Sequence, residues 1–144
     1  MALLEKYLIV KKSKIPKAGK GLFTKILIPK NTLIVEYKGK VSSWKDANHD
    51  NGMNGYIYYV NRNYVIDALK SLKALARYAN DNKGPRGVKG LKNNADYVKE
   101  GARIYIKSTR NIPAGSEILV GYGKDYWDVI NKNRESPGKK KKVI

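Results

Sequence analysis

The sequence predicts a mainly β domain with few short helices. Three observations lead there. Short runs rich in β-branched and aromatic residues recur along the chain, Gly, Pro and Asn punctuate them, and only one stretch carries helical spacing.

The elements follow in order. Tyr7 to Lys12 and Leu33 to Tyr37 read as short strands. Tyr56 to Val60 and Tyr64 to Ile66 flank Asn61-Arg62-Asn63, which predicts a hairpin. From Ala68 the pattern changes: Leu72, Leu75, Ala76 and Ala79 repeat at three and four residues, which predicts a short amphipathic helix ended by Asn80. Lys83 to Gly90 is a Gly-rich basic loop. In Ala102 to Lys107, alternation places Ile104 and Ile106 on one face and Arg103, Tyr105 and Lys107 on the other. Asn111 to Gly115 is a turn into a last strand, Glu117 to Val120, and Asp125 is a cap for a final helix through Asn131. Beyond that the pattern dissolves, so the expected organisation is a domain over residues 1–131 and a disordered basic tail over 132–144.

With 144 residues and 42% hydrophobic content, the chain can bury one real core. It has no cysteine, which excludes disulfides and thiolate zinc sites. His49, the single histidine, stands in a polar run without ligand partners, so it is expected to be solvated and no metal site is expected. Glu5 and Lys6 interrupt the apolar start and no run could span a bilayer, which predicts a soluble intracellular protein without a signal peptide or a membrane partner. The net charge of +18 predicts a field that attracts polyanions, DNA or RNA first. Basic residues gather in Lys11 to Lys30, Lys70 to Lys92 and Lys132 to Lys142.

Four segments in one order carry a more specific signal. They are Gly19-Lys20-Gly21-Leu22-Phe23, Glu36-Tyr37-Lys38-Gly39, the pair Ile66-Asp67-Ala68 and Arg77-Tyr78-Ala79-Asn80, and Glu117-Ile-Leu-Val-Gly-Tyr122 with Asp125-Tyr126-Trp127 behind it. Together they resemble the SET-domain protein lysine methyltransferases, and the similarity covers roughly residues 7 to 130. The resemblance is to minimal viral or bacterial members without pre-SET or post-SET modules. It implies a fold of several small curved sheets around a pseudoknot, in which the segment carrying Tyr122 passes beside the Asn80 segment.

The same resemblance implies an activity and its residues. The activity is methyl transfer from S-adenosylmethionine to a protein lysine, on a histone, a histone-like protein or a ribosomal protein. Tyr122 matches the tyrosine beside the transferring methyl, Tyr56 looks like a second channel wall, and Tyr37 and Tyr97 are looser candidates. On the cofactor side, Gly19, Lys20 and Gly21 match the backbone that receives the methionine part, Arg77 its carboxylate partner and Asn80 its ammonium partner. Trp127 would lie against adenine in place of a post-SET lid, or anchor the last helix.

Two departures bear on that assignment. The family pattern Asn-His-Ser is Asn80-Asp81-Asn82 here, which puts a carboxylate at a cofactor-binding position. A longer basic loop replaces the usual short link to Pro-Asn, with Asn93-Asn94 as the nearest match. Charge also constrains the substrate: a chain of +18 repels a free basic tail, so a substrate embedded in nucleoprotein is favoured. The protein would then be nuclear or chromatin-associated in a eukaryotic cell and cytoplasmic otherwise. A catalytically inactive SET scaffold that binds chromatin or nucleic acid is the alternative, and a homodimer that covers an exposed cofactor face is compatible with the sequence.

Overall fold

The computed structural model describes residues 3–16, 18–47, 49, 56–82 and 88–121. Among the described residues eight strands run in chain order: β1 (Leu8–Lys12), β2 (Lys20–Thr24), β3 (Leu33–Glu36), β4 (Lys40–Ser42), β5 (Ile57–Asn61), β6 (Tyr64–Asp67), β7 (Ala95–Glu100) and β8 (Arg103–Ser108). They form three small sheets, ordered β1-β2, β3-β8-β7 and β4-β6-β5, and the strand neighbours within them pair antiparallel. The chain divides into two compact units, one built from residues up to Tyr37 together with Leu75 to Gly121, the other around Lys38 to Ala74.

The first unit holds most of the buried apolar residues. In β8 the expected alternation is present: Ile104 and Ile106 are buried, while Tyr105 and Lys107 are half-exposed. They join Leu22 and Phe23 of β2, Ile34 and Val35 of β3, Ile28, Ile112 and Ile118 in an aliphatic core. Ser108 ends β8 inside the structure, donating to the Pro29 carbonyl at 2.6 Å and accepting from the Thr32 amide at 2.9 Å, so its hydroxyl is satisfied where water is absent.

Residues 117–120 are the expected last strand, and all four are buried. Rather than joining one ladder, they bridge three segments in turn: Glu117 with Phe23 antiparallel, Leu119 with Asn80 parallel, and Val120 with Ala95 parallel. The Val120 amide donates to the Asn80 carbonyl at 2.8 Å, and the Leu119 carbonyl accepts from the Asn94 and Ala95 amides at 2.8 and 3.1 Å. The segment therefore lies between the two ends of the 80–95 stretch. Asn94 fastens it with its side chain as well, donating to the Glu117 carbonyl at 3.0 Å and accepting from the Leu119 amide at 2.9 Å.

In the second unit, β5 and β6 form the expected hairpin, with β4 added on the other side of β6. His49 differs from the solvated residue expected. Its ring stands edge-on to Trp44 at 4.2 Å, and its Nε2 donates to the Trp44 carbonyl at 2.6 Å. Trp44 also meets Tyr59 edge to face at 5.5 Å, so an aromatic platform rather than water receives the imidazole.

The amphipathic helix expected from Ala68 to Ala79 is replaced by turns and one 3₁₀ segment, Leu75–Tyr78. Bonds span three residues, from Ser71 to Ala68 and from Ala74 to Ser71, and the Asp67 carboxylate accepts from the Leu69 amide. Leu72, which the helical pattern would bury, is 65% exposed. Tertiary packing overrides the local pattern here, with the 3₁₀ segment against β1, β2 and β3. Strand β7 was hidden in the sequence by the basic loop before it. The final helix from Asp125 and the tail 132–144 lie outside the described residues.

Asn94→Ala should destabilise the protein by roughly 2 kcal/mol or more, because it strands the Leu119 amide and the Glu117 carbonyl in the interior. Asn111→Ala, which removes one exposed bond to the Lys30 amide, should cost about 0.5 kcal/mol or less. Urea unfolding of both variants checks the contrast.

Candidate functional site

The site grows from the turn between β1 and β2. Chain reversal there is closed by the Ser13 amide donating to the Gly19 carbonyl at 2.8 Å, and Gly19 has φ +73°, a backbone that favours glycine. Gly21 is glycine for a different reason. A Cβ at Gly21 would overlap the Glu117 carboxylate and stand 3.1 Å from the Ser13 Cβ. The approach that excludes a side chain at Gly21 is thus made by a residue of the chain itself.

Glu117 is 4% exposed and its carboxylate accepts from three donors. The Ser13 hydroxyl reaches Oε2 at 2.6 Å, the Lys14 amide reaches Oε1 at 3.0 Å, and the Asn80 Nδ2 reaches Oε2 at 3.4 Å. Asn80 also donates from Nδ2 to the Lys20 carbonyl at 3.0 Å. Both groups facing Nδ2 are pure acceptors, which fixes the amide orientation. Its Oδ1 then points away from them and meets no donor among the described residues, so the site presents an acceptor.

Asp81, at the position where a histidine is usual, is buried, and its Oδ1 accepts from the Asn93 Nδ2 at 2.7 Å. Asn93 Oδ1 in turn accepts from the Asn82 amide at 2.9 Å. Asn82 holds the far side of the basic loop, donating to the Val88 and Leu91 carbonyls and accepting from the Val88 amide. The loosely matched Asn93-Asn94 pair is therefore the structural counterpart of the 80–82 and 117–119 segments.

The other sequence candidates are distributed as follows. Tyr37 and Tyr97 come together edge to face, with ring centroids 5.8 Å apart at 87°, and Tyr37 is buried. Arg77 lies on the 3₁₀ segment with its guanidinium 4.9 Å from the Tyr78 ring centroid. Tyr56 belongs to the second unit, where its carbonyl accepts from the Ala68 amide at 3.1 Å. Nearby on β5, burial raises the pKa of the Tyr58 phenol and keeps it neutral. Tyr122 and Trp127 lie outside the described residues. No group of acids or histidine among the described residues could hold a metal, and no described helix is long and apolar enough to cross a membrane.

Ser13, Asn93 and Glu117 were missed as site residues in the sequence. For Glu117 a signal existed, since a carboxylate opening a fully apolar four-residue strand must find donors if that strand is buried. Ser13 gave none.

A model of the SET domain matches residues 19–123, a span that includes the glycine turn, the Asn80 segment and the Glu117 strand. The chain belongs to the SET domain family. Among curated relatives, human histone-lysine N-methyltransferase 2D is 30% identical over 120 residues, 79% of this chain and 2% of that protein. The Drosophila melanogaster histone-lysine N-methyltransferase trr is 32% identical over 79% of this chain and 5% of its own length. The Caenorhabditis elegans histone-lysine N-methyltransferase set-1 is 27% identical over 80% of this chain and half of its own length. The chain thus spans half or less of these relatives. The methyltransferase domain of human PR domain-containing protein 2 shares the fold, with a TM-score of 0.59 and 24% identity over 81% of this chain and 77% of that one.

Gly19 and Gly21 should respond differently to alanine. Gly19→Ala meets open space and should cost about 1 kcal/mol through its backbone alone. Gly21→Ala should cost roughly 1–3 kcal/mol by overpacking. Its cost should shrink when Glu117 is also made alanine, whereas Gly19→Ala and Glu117→Ala should add; stability measurements on the three single variants and the two doubles check this.

Proposed function

We propose that this SET domain, over residues 1–131 with a basic tail after it, is an S-adenosylmethionine-dependent protein-lysine N-methyltransferase. The observation that carries the reading is the Asn80 amide, turned so that its oxygen faces away from Lys20 and Glu117 beside the Gly19-Lys20-Gly21 turn. An outward acceptor on a rigid backbone fits an ammonium group such as that of the methionine part of the cofactor. When bound, S-adenosylmethionine supplies an electrophilic methyl that a neutral amine can displace.

The chain's residues then have separate tasks. Asn80 holds the ammonium, the backbone at Lys20 and Gly21 lies along the methionine part, and Arg77 pairs with its carboxylate. Tyr122 takes the role beside the methyl that its match to the family motif implies, Tyr37 and Tyr97, whose rings pack together, are candidates for an aromatic wall, and Tyr56 is a further wall candidate by the same match. An aromatic channel depresses the pKa of an entering lysine and so favours the amine over the ammonium. It also holds the nitrogen about 3 Å from the methyl on a straight axis. Trp127 covers adenine. Asp81 Oδ1 is engaged by the Asn93 amide, while Arg77 is the cation that offsets its charge beside the cofactor carboxylate.

The names of the relatives support a histone as substrate, and the +18 charge supports a substrate presented on DNA rather than a free basic tail. Calorimetry should give S-adenosylmethionine binding by wild type, weakened by roughly tenfold in Asn80→Ala. Tyr122→Phe should bind the cofactor normally but lower methyl transfer by about a hundredfold. Transfer to nucleosomes should exceed transfer to free histones, and the difference should shrink with added salt. Absence of cofactor binding by wild type, with DNA binding retained, would leave the inactive scaffold instead.

A further inference from the structure

The proposed function uses Asn80 but not Glu117, which together with the Lys20 carbonyl faces its Nδ2. Glu117 is buried, opens the inserted strand, and meets the Ser13 hydroxyl, the Lys14 amide, the Asn80 amide and the α-carbon face of Gly21. We infer that Glu117 is a positioning residue for cofactor binding, holding the Asn80 oxygen outward and locking the 13–15 turn against Gly19-Lys20-Gly21. This inference rests on the methyltransferase reading of the site.

The hydrogen-bond chemistry makes the carboxylate hard to replace. Its two oxygens are used as acceptors, Oε1 by Lys14 and Oε2 by Ser13 and Asn80. The Ser13 hydroxyl gives its one proton to Glu117 while its oxygen accepts from the Ile15 amide at 3.1 Å, so a donor placed at Oε2 would leave that proton without its acceptor. Glutamine has the same shape but one donor end. Placed toward Lys14, that end opposes an N–H; placed toward Ser13 and Asn80, it opposes an NH₂ and leaves the Lys20 carbonyl as the one acceptor that keeps Nδ2 inward. In the second arrangement the outward placement of the Asn80 oxygen is held less firmly.

The effect should therefore be confined to the methionine end of the ligand. Wild type and Glu117→Gln are titrated with S-adenosylmethionine and with 5′-methylthioadenosine, which lacks both the ammonium and the carboxylate. Glu117→Gln should weaken the first by roughly tenfold and leave the second unchanged. The Asn80→Ala/Glu117→Gln double variant should bind S-adenosylmethionine no more weakly than Asn80→Ala alone. Equal loss of both ligands, or wild-type affinity for both, would overturn the inference while leaving the methyltransferase reading intact. Wild type that binds neither ligand would overturn that reading and this one together. Should Glu117→Gln fail to fold, Ser13→Ala provides the same comparison: selective loss of S-adenosylmethionine supports the inference, and equal or no loss overturns it.

Discussion

The insertion of residues 117–120 between the ends of the 80–95 stretch is the constraint on which the rest of the first unit depends. Its peptide groups are satisfied by Leu22, Asn80 and Asn94–Ala95, segments far apart in the chain. A four-residue strand that joins no sheet would leave its buried N–H and C=O groups exposed to a cost of about 1–3 kcal/mol each if any partner were lost. The same insertion brings Glu117 under Gly21 and beside Asn80, so the fold's closure and the site's assembly are one event.

Side-chain amides perform much of the cross-linking. Asn82, Asn93 and Asn94 each use both ends of the side chain, Asn94 doubling the backbone link to the 117–120 segment and Asn82 and Asn93 tying the 80–82 segment to 88–93. An amide suits this role because it presents a donor and an acceptor without the desolvation cost of a charge. Asn93 also changes the meaning of the Asp81 substitution. Read linearly, Asp81 is a charged residue where the family pattern has histidine; in three dimensions its carboxylate is buried with an amide donor on Oδ1.

Charge operates on two scales. The excess of lysine and arginine sets a long-range field that salt screens over about 10 Å. The buried acids among the described residues, Asp81 and Glu117, act at hydrogen-bond range, and the asparagines that face them decide which atoms the site presents. The field bears on where the protein goes, while the short-range contacts bear on what it can hold.

By itself the sequence determined the mainly β class, the β5–β6 hairpin, the inward face of β8 through Ile104 and Ile106, and the family through motifs held in order. These are local: alternation, turn residues and spacing are properties of neighbours in the chain. The helix expected from Ala68 is absent: its three-and-four spacing is met by three-residue turns and a 3₁₀ segment packed against β1, β2 and β3, and Leu72 stays exposed. Only the tertiary structure decided that Glu117 is a buried acceptor, that Gly21 is kept small by that carboxylate, and that Asn80 turns its oxygen outward. Each of those facts joins residues separated by 37 to 104 positions, a distance over which periodicity carries no information about which atoms meet.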